Sequence, residues 1–217
     1  MDAHITAAIA EITSPQLGTT EQLLAVHTLV LTDNTFHPTH MDTTSDPSQA
    51  TIYFRIIDEP YFFVIVVQPQ ASQPRAIASY MEAAVKVYLA IYSDTLDPQT
   101  ITHHIGIAPT KTRQKGDQVR PYVHHTYAEN RWYYELQPDD PASPEVKIQR
   151  LLNRVSPAAN RFAQLANACQ VVLHIVYKGY QSSMGGLHLD GEMARQIAML
   201  GAAIDIDLYA YGPELPD

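Results

Sequence analysis

Two stretches of the chain hold the side chains best suited to chemistry. In LDPQTITHHIGIAPTKTRQKGD, residues 96–117, the adjacent His103 and His104 precede an alternating Lys111-x-Arg113-x-Lys115. In an extended segment those three cations project to one side, as a holder of phosphate or carboxylate requires. No Gly-rich nest stands before a helix here, so the stretch is not a nucleotide-phosphate loop, and a solvated basic strand or pairing with acids elsewhere is the competing reading. A second histidine pair, His124-His125, lies in VRPYVHHTYAENRW. Were it to fold near His103, three imidazoles and the Asp117 carboxylate would suit zinc. Helical metal pairs are spaced i,i+4, however, and adjacent histidines point about 100° apart. No metal and no other cofactor is therefore expected. Together with Tyr122, Tyr127 and Trp132, the same histidines would line a small-molecule pocket served by the basic loop. The ligand-binding candidates are Lys111, Arg113, Lys115, His124, His125 and Tyr127.

The remaining chemistry-bearing residues have plainer readings. Asp205 and Asp207 alternate in AIDIDLYAY, so they share one strand face about 7 Å apart and would flank a metal or a scissile bond. The plainer reading is a solvated face or a guard on an edge strand. His174 sits between Val172 and Val176 in an apolar strand and reads as a hydrogen-bonded core histidine. Cys169 lies on an apolar helix stripe and reads as packing. In YQSSMGGLH, Gln181 stands where a nucleophile elbow needs glycine ahead of Ser183, so no serine nucleophile is assigned. The chain has no dinucleotide fingerprint, Cys-x-x-Cys pair or EF-hand loop, and no catalytic residue is assigned.

Charge narrows the partners. The 217 residues carry a net charge of −9. Residues 1–84 hold Arg55 and Arg75 against nine acids, a balance of −7, which leaves −2 for the rest. Nucleic acid is not expected as a partner, because phosphate contacts need Lys and Arg. A basic protein is, with Asp42, Asp46, Asp58 and Glu59 as the acids that would steer it. The longest purely apolar run, residues 61–67, is too short to span a bilayer, so no membrane partner is expected. The N-terminus lacks the basic and apolar regions of a signal peptide, and a single cysteine fits a reducing cytoplasm.

These side chains must be positioned by the elements that the patterning predicts. A short helix is expected over residues 5–12, a strand over 23–31, and a loop over 37–50. TIYFRII and YFFVIVV, joined by Asp58-Glu59-Pro60, form a hairpin. Pro74 opens a helical stretch over 75–82. From Ala84 the pattern changes: AVKVYLAIYS alternates, with Val85, Val87, Leu89 and Ile91 on one face and Lys86, Tyr88, Ala90 and Tyr92 on the other. Asp97-Pro98 caps a helix ending at Gly106, with Ile101 and Ile105 inward, His104 at the core margin and His103 exposed. RWYYEL is a strand carrying Trp132, Tyr134 and Leu136 on its core face. Ser143-Pro144 and Ser156-Pro157 each cap a helical stretch. VVLHIVY is a central strand, Asp190 caps the last helix, and AIDIDLYAY is the final strand. The fold class is α+β. A small antiparallel region spans residues 1–83, and residues 84–217 form a four-stranded, helix-backed, ferredoxin-like β-α-β-α-α-β-α-β sheet.

VYLAIYSDTLDPQTITHHIGIAPTKTRQKGD, the lone Trp132, and LHLDGEMARQIAMLGAAIDIDLYAYG together resemble a bacterial family known as domain of unknown function 4279, over roughly residues 86–211. The marks are the Leu-Asp-Pro-x-x-Ile-Thr helix start, the Pro-Thr…Lys-Gly-Asp loop and the closing Leu-Gly-Ala…Asp-Leu-Tyr. The resemblance implies no activity and no catalytic residues. Two functional expectations stand: a non-enzymatic, immunity- or antitoxin-like binder with an acidic face for a basic protein, or a small-molecule sensor or metal-dependent enzyme with a Tyr/His-lined pocket and a basic anion-holding loop. The oligomeric state is left open.

Overall fold

The computed structural model describes residues 2–44, 46, 48–68, 73–119, 125–136 and 141–215. The chain opens with α1 (Ala3–Thr13), whose Asp2 side chain accepts from the His4 amide, and α2 (Gly18–Val26). A two-stranded hairpin follows, β1 (Leu31–Thr32) and β2 (Thr35–Phe36). Its turn residues Asp33 and Asn34 both have positive φ, the geometry of a tight two-residue hairpin. Then come β3 (His40–Asp42), β4 (Ala50–Arg55), β5 (Phe62–Gln68) and β6 (Arg75–Glu82), which form an antiparallel sheet in the order β3-β4-β5-β6.

Two of the expected elements in this region are different. Residues 23–26 belong to helix α2, where a strand was expected. Thr20 and Leu23, one helical turn apart, are buried, and the Thr20 hydroxyl bonds to Ser79, so packing overrides the β-branched composition. Residues 75–82 are strand β6, where a helix was expected. In β5 six of seven residues are buried, so its backbone groups need a partner strand on each edge. β4 supplies one and β6 the other, with a register shift at Val66/Val67. Within the expected 37–50 loop, β3 pairs with β4.

The chain passes directly into β7 (Ala84–Ser93), then α3 (Pro98–Ile105), β8 (Lys111–Arg113), β9 (Asn130–Glu135), α4 (Pro144–Val155), a 3-10 turn, α5 (Ala159–Leu165), β10 (Gln170–Tyr180), α6 (Gly191–Met199) and β11 (Ala203–Tyr211). The caps explain the boundaries. Asp97 accepts from the amides of Gln99 and Thr100, and Gly106, with φ of 73°, ends α3. Ser143 and Asp190 cap α4 and α6 through Val146 and Met193. Ser156 is not a cap: its backbone is helical and its hydroxyl donates to the Asn153 carbonyl, so α4 runs on through a tight turn into α5.

These strands form a five-stranded sheet in the order β11-β10-β7-β9-β8. The four expected strands are present, and β8 is a fifth that the short run of Lys and Arg conceals. All neighbours are antiparallel except β10 and β11, which are parallel. One face is buried under α3, α4, α5 and α6, with Val85, Leu89, Trp132, Leu173 and Ile197 in its core. The Trp132 indole is fully buried and donates to the Thr102 hydroxyl at 3.1 Å. Thr102 therefore occupies the core margin, and His104, expected there, is exposed together with His103. A second core lies between α1, α2 and one face of the four-stranded sheet, and Tyr180 at the end of β10 enters it beside Tyr61. No helix among the described residues is long and apolar enough to cross a membrane.

Candidate functional site

The helices cover one face of the five-stranded sheet and leave the other open. Register places the open-face residues. Tyr92 and Tyr88 of β7 stand beside Arg131 and Glu135 of β9 and, across β10, Gln170 and His174. His174 is the direct partner of Asp205 on β11, and Lys111 and Arg113 of β8 are the partners of Tyr133 and Arg131. Side chains alternate along a strand, so these residues all lie on the same side. The face runs from cations at the β8–β9 edge, through tyrosines and a histidine, to carboxylates at the β11 edge.

A chain of polar contacts crosses its centre. The Tyr92 hydroxyl lies 2.8 Å from His174 Nε2, and Asp205 Oδ2 lies 3.3 Å from His174 Nδ1. Tyr88 stacks on the imidazole with ring centroids 4.7 Å apart and planes 13° from parallel. Burial lowers the His174 pKa, against the opposing pull of Asp205 and Asp207, so the ring favours its neutral form. A carboxylate only accepts, which favours the tautomer with the proton on Nδ1 and leaves Nε2 to accept from the phenol. Burial raises the Tyr92 pKa, with Tyr133 and Tyr88 adding to it, and keeps that phenol a donor. Tyr88 is likewise pushed up to about 12, chiefly by burial. The His174 ring, read from the sequence as a hydrogen-bonded core histidine, is hydrogen-bonded and buried, on the face of the sheet that the helices do not cover.

Arg131 forms the cationic half. Its guanidinium lies 5.4 Å from the Tyr92 ring centroid and 5.1 Å from that of Tyr127. Arg113 lies 5.9 Å from the Tyr127 ring centroid, and its Nε donates to the Tyr127 hydroxyl at 3.2 Å. Arg131 Nη2 is 3.3 Å from Glu129 Oε1. Among the described residues its Nε, shut off from solvent, has no acceptor, and Glu135 Oε1 is in the same position as a buried acceptor without a donor. A cleft of about 420 Å³ opens beside Arg131, with Tyr92, Glu129, Gln170, His174 and Asp205 also in its walls.

The residues singled out from the sequence are distributed as follows. Arg113 and Tyr127 join this face through Arg131. Lys111 shares the face at its outer edge, whereas Lys115, past the end of β8, pairs with Asp94 at 3.1 Å. His125 is exposed and its carbonyl accepts from Val119. His124 and Tyr122 lie outside the described residues. Trp132 is no pocket wall, because its ring is in the core under α3. Asp117 caps its own turn by accepting from the Gln114 amide. Among the described residues no group of three or more His, Cys, Asp or Glu side chains is placed to hold a metal ion. Of the acidic candidates, Asp42 accepts from Thr44 and Asp46 from Ser48. Asp42 pairs with Thr51 at the start of β4, and Asp58 and Glu59 form the turn beyond its other end, about 17 Å along the strand at normal strand rise.

Sequence reasoning missed Tyr92, Arg131 and His174 as a set. A signal was present: the non-core positions of β7 and β9 hold Lys86, Tyr88, Tyr92, Arg131 and Tyr133. Three tyrosines on one face of two strands are the pattern that could have marked the site.

A family model described as Domain of unknown function (DUF4279) matches residues 83–211. No curated protein and no solved structure matches the chain.

Proposed function

The chain belongs to the DUF4279 family, a membership that brings no activity with it, and from that premise we propose that it is a non-enzymatic binding protein whose open sheet face captures a small molecule. The ligand carries an anionic or carbonyl acceptor for Arg131 and a flat ring or amide for the Tyr92–His174 wall. One observation carries this reading: the Arg131 guanidinium lines a cleft of about 420 Å³ that Tyr92 and His174 also wall. We further assign the order β10-β7-β9-β8, with α3 and α4–α5 as the crossings, to the ferredoxin-like arrangement, extended at one edge by α6 and β11.

The test is native mass spectrometry of the chain purified from its own host without a histidine tag. A small molecule should accompany the wild-type protein and be lost in Arg131→Ala, with Tyr92→Phe weakening it less. Equal retention in Arg131→Ala would place the ligand elsewhere. A wild-type chain that carries nothing, and whose melting temperature no anionic aromatic metabolite raises, would remove the reading.

A further inference from the structure

We propose that two copies of this chain pair through β11, making one continuous sheet across a two-fold axis at Leu208. The observation is a long, regular edge strand whose only charged guards are Asp205 and Asp207. β11 is nine residues long, and among the described residues no strand pairs its outer edge. It has no proline, lysine or register shift to deter a second strand. Its helix-side row, Ile204, Ile206 and Leu208, is in register with the buried Leu173, Ile175 and Tyr177 of β10. Yet those three side chains are 41%, 43% and 63% exposed. Their inner neighbours are covered by α4–α6, and the sheet continues past that cover.

The open-face side chains of β11 say what fits. They are Asp205 and Asp207 in its first half and Tyr209 and Tyr211 in its second. A two-fold axis normal to the sheet pairs the strand antiparallel with itself and keeps each face on its own side. Directly opposed residues then have numbers summing to twice the central one. Centring on Asp207 sets that carboxylate against itself, and centring on Ile206 sets Asp205 against Asp207. Like charges directly opposed are destabilising, so both registers are excluded. Centring on Leu208 is the longest register without apposed carboxylates. It sets Asp207 opposite Tyr209 and Asp205 opposite Tyr211, each carboxylate facing a phenol that can donate. On the helix side it sets Leu208 against Leu208 and Ile206 against Ala210. The strand is thus complementary to a second copy of itself in one register, and the carboxylates select that register. The phenol brought opposite Asp205 comes from the second copy and lies beside the His174 contact, so the open-face site is completed across the axis. The pairing stands independently of what the cleft holds.

The test uses the full chain. Light scattering on a sizing column at micromolar concentration should return twice the 24.2 kDa chain mass, and Leu208→Lys should return the single-chain mass with an unchanged far-ultraviolet spectrum. The register is read by cysteine pairing, which keeps the edge apolar should the lysine variant misfold. Leu208→Cys, on the axis, should cross-link on mild oxidation. Ile206→Cys should not, because in this register the two copies of residue 206 are more than 7 Å apart, beyond disulfide reach. Cys169 is present in both variants and in the wild type, which supplies the baseline. A wild-type chain at single-chain mass, a Leu208→Lys variant that stays double, or Ile206→Cys cross-linking as readily as Leu208→Cys would each overturn the proposal.

Discussion

Phe62 and Phe63 are consecutive in β5 and both are buried; Trp132 and Tyr133 are consecutive in β9, and only the tryptophan is. Consecutive strand residues point to opposite faces, so the two pairs report on the two sheets. The four-stranded sheet buries residues on both faces of its central strand: Phe63, Ile65 and Val67 lie under α1 and α2, and Tyr53, Phe62 and Val64 form a small core of their own against Ala84, beside a cleft of about 610 Å³ that β3, β4 and β6 share with the start of α4. The five-stranded sheet spends one face on its core and leaves the other open, and that face holds the tyrosines, His174, Arg131 and the carboxylates of the cleft. The two sheets thus differ in how much of one face stays open, and the proposed ligand site belongs to the sheet that leaves more of it uncovered.

The largest effect that would break this comparison comes from those pairs. Phe62→Ala and Phe63→Ala should each destabilise the protein by about 3–5 kcal/mol in denaturant titrations, as should Trp132→Ala. Tyr133→Ala should cost clearly less, on the order of 1 kcal/mol, because its side chain borders solvent. If Tyr133→Ala matched Trp132→Ala, the open face would be covered in solution. If Phe62→Ala were mild, the four-stranded sheet would have an open face too.

A smaller effect sharpens the description of the open face. Tyr92→Phe removes the phenol that meets His174 and should cost about 0.5–1.5 kcal/mol by the same titration. It should also free His174 to titrate differently. Because burial holds the folded-state pKa of His174 below its ordinary 6.5, the unfolded chain binds the proton more readily than the folded one. Stability is therefore full above 6.5 and declines as pH falls from there through the lowered folded-state value. His174→Gln should flatten that decline, and an unaltered pH profile in the variant would show that the ring is not held neutral by its surroundings. The smallest effect is expected outside the cleft. Lys115→Ala removes an exposed pair with Asp94 and should shift stability by no more than about 0.5 kcal/mol. A larger loss would mean that the basic loop after β8 is tied down more firmly than that one pair.

The elements legible in the chain are those whose signals are local. Asp97-Pro98 and Gly106 bracket α3 because a capping carboxylate, an N1 proline and a left-handed glycine each act within a turn of where they stand. The alternation in AVKVYLAIYS and RWYYEL assigned Trp132 to the core, because strand geometry alone sends alternate side chains to opposite faces. The misread segments had no such local rule. Residues 75–82 became β6 because β5 needed a second partner, and residues 23–26 became helix because Thr20 and Leu23 had a sheet to pack on. The open-face site was out of reach for a related reason. Tyr92 and His174 lie 82 residues apart, and Asp205 is on a third strand. Alternation says which face each residue takes, but not which strands are neighbours. That order is set by the helices crossing between strands, whose packing against one shared core brings β7, β10 and β11 side by side.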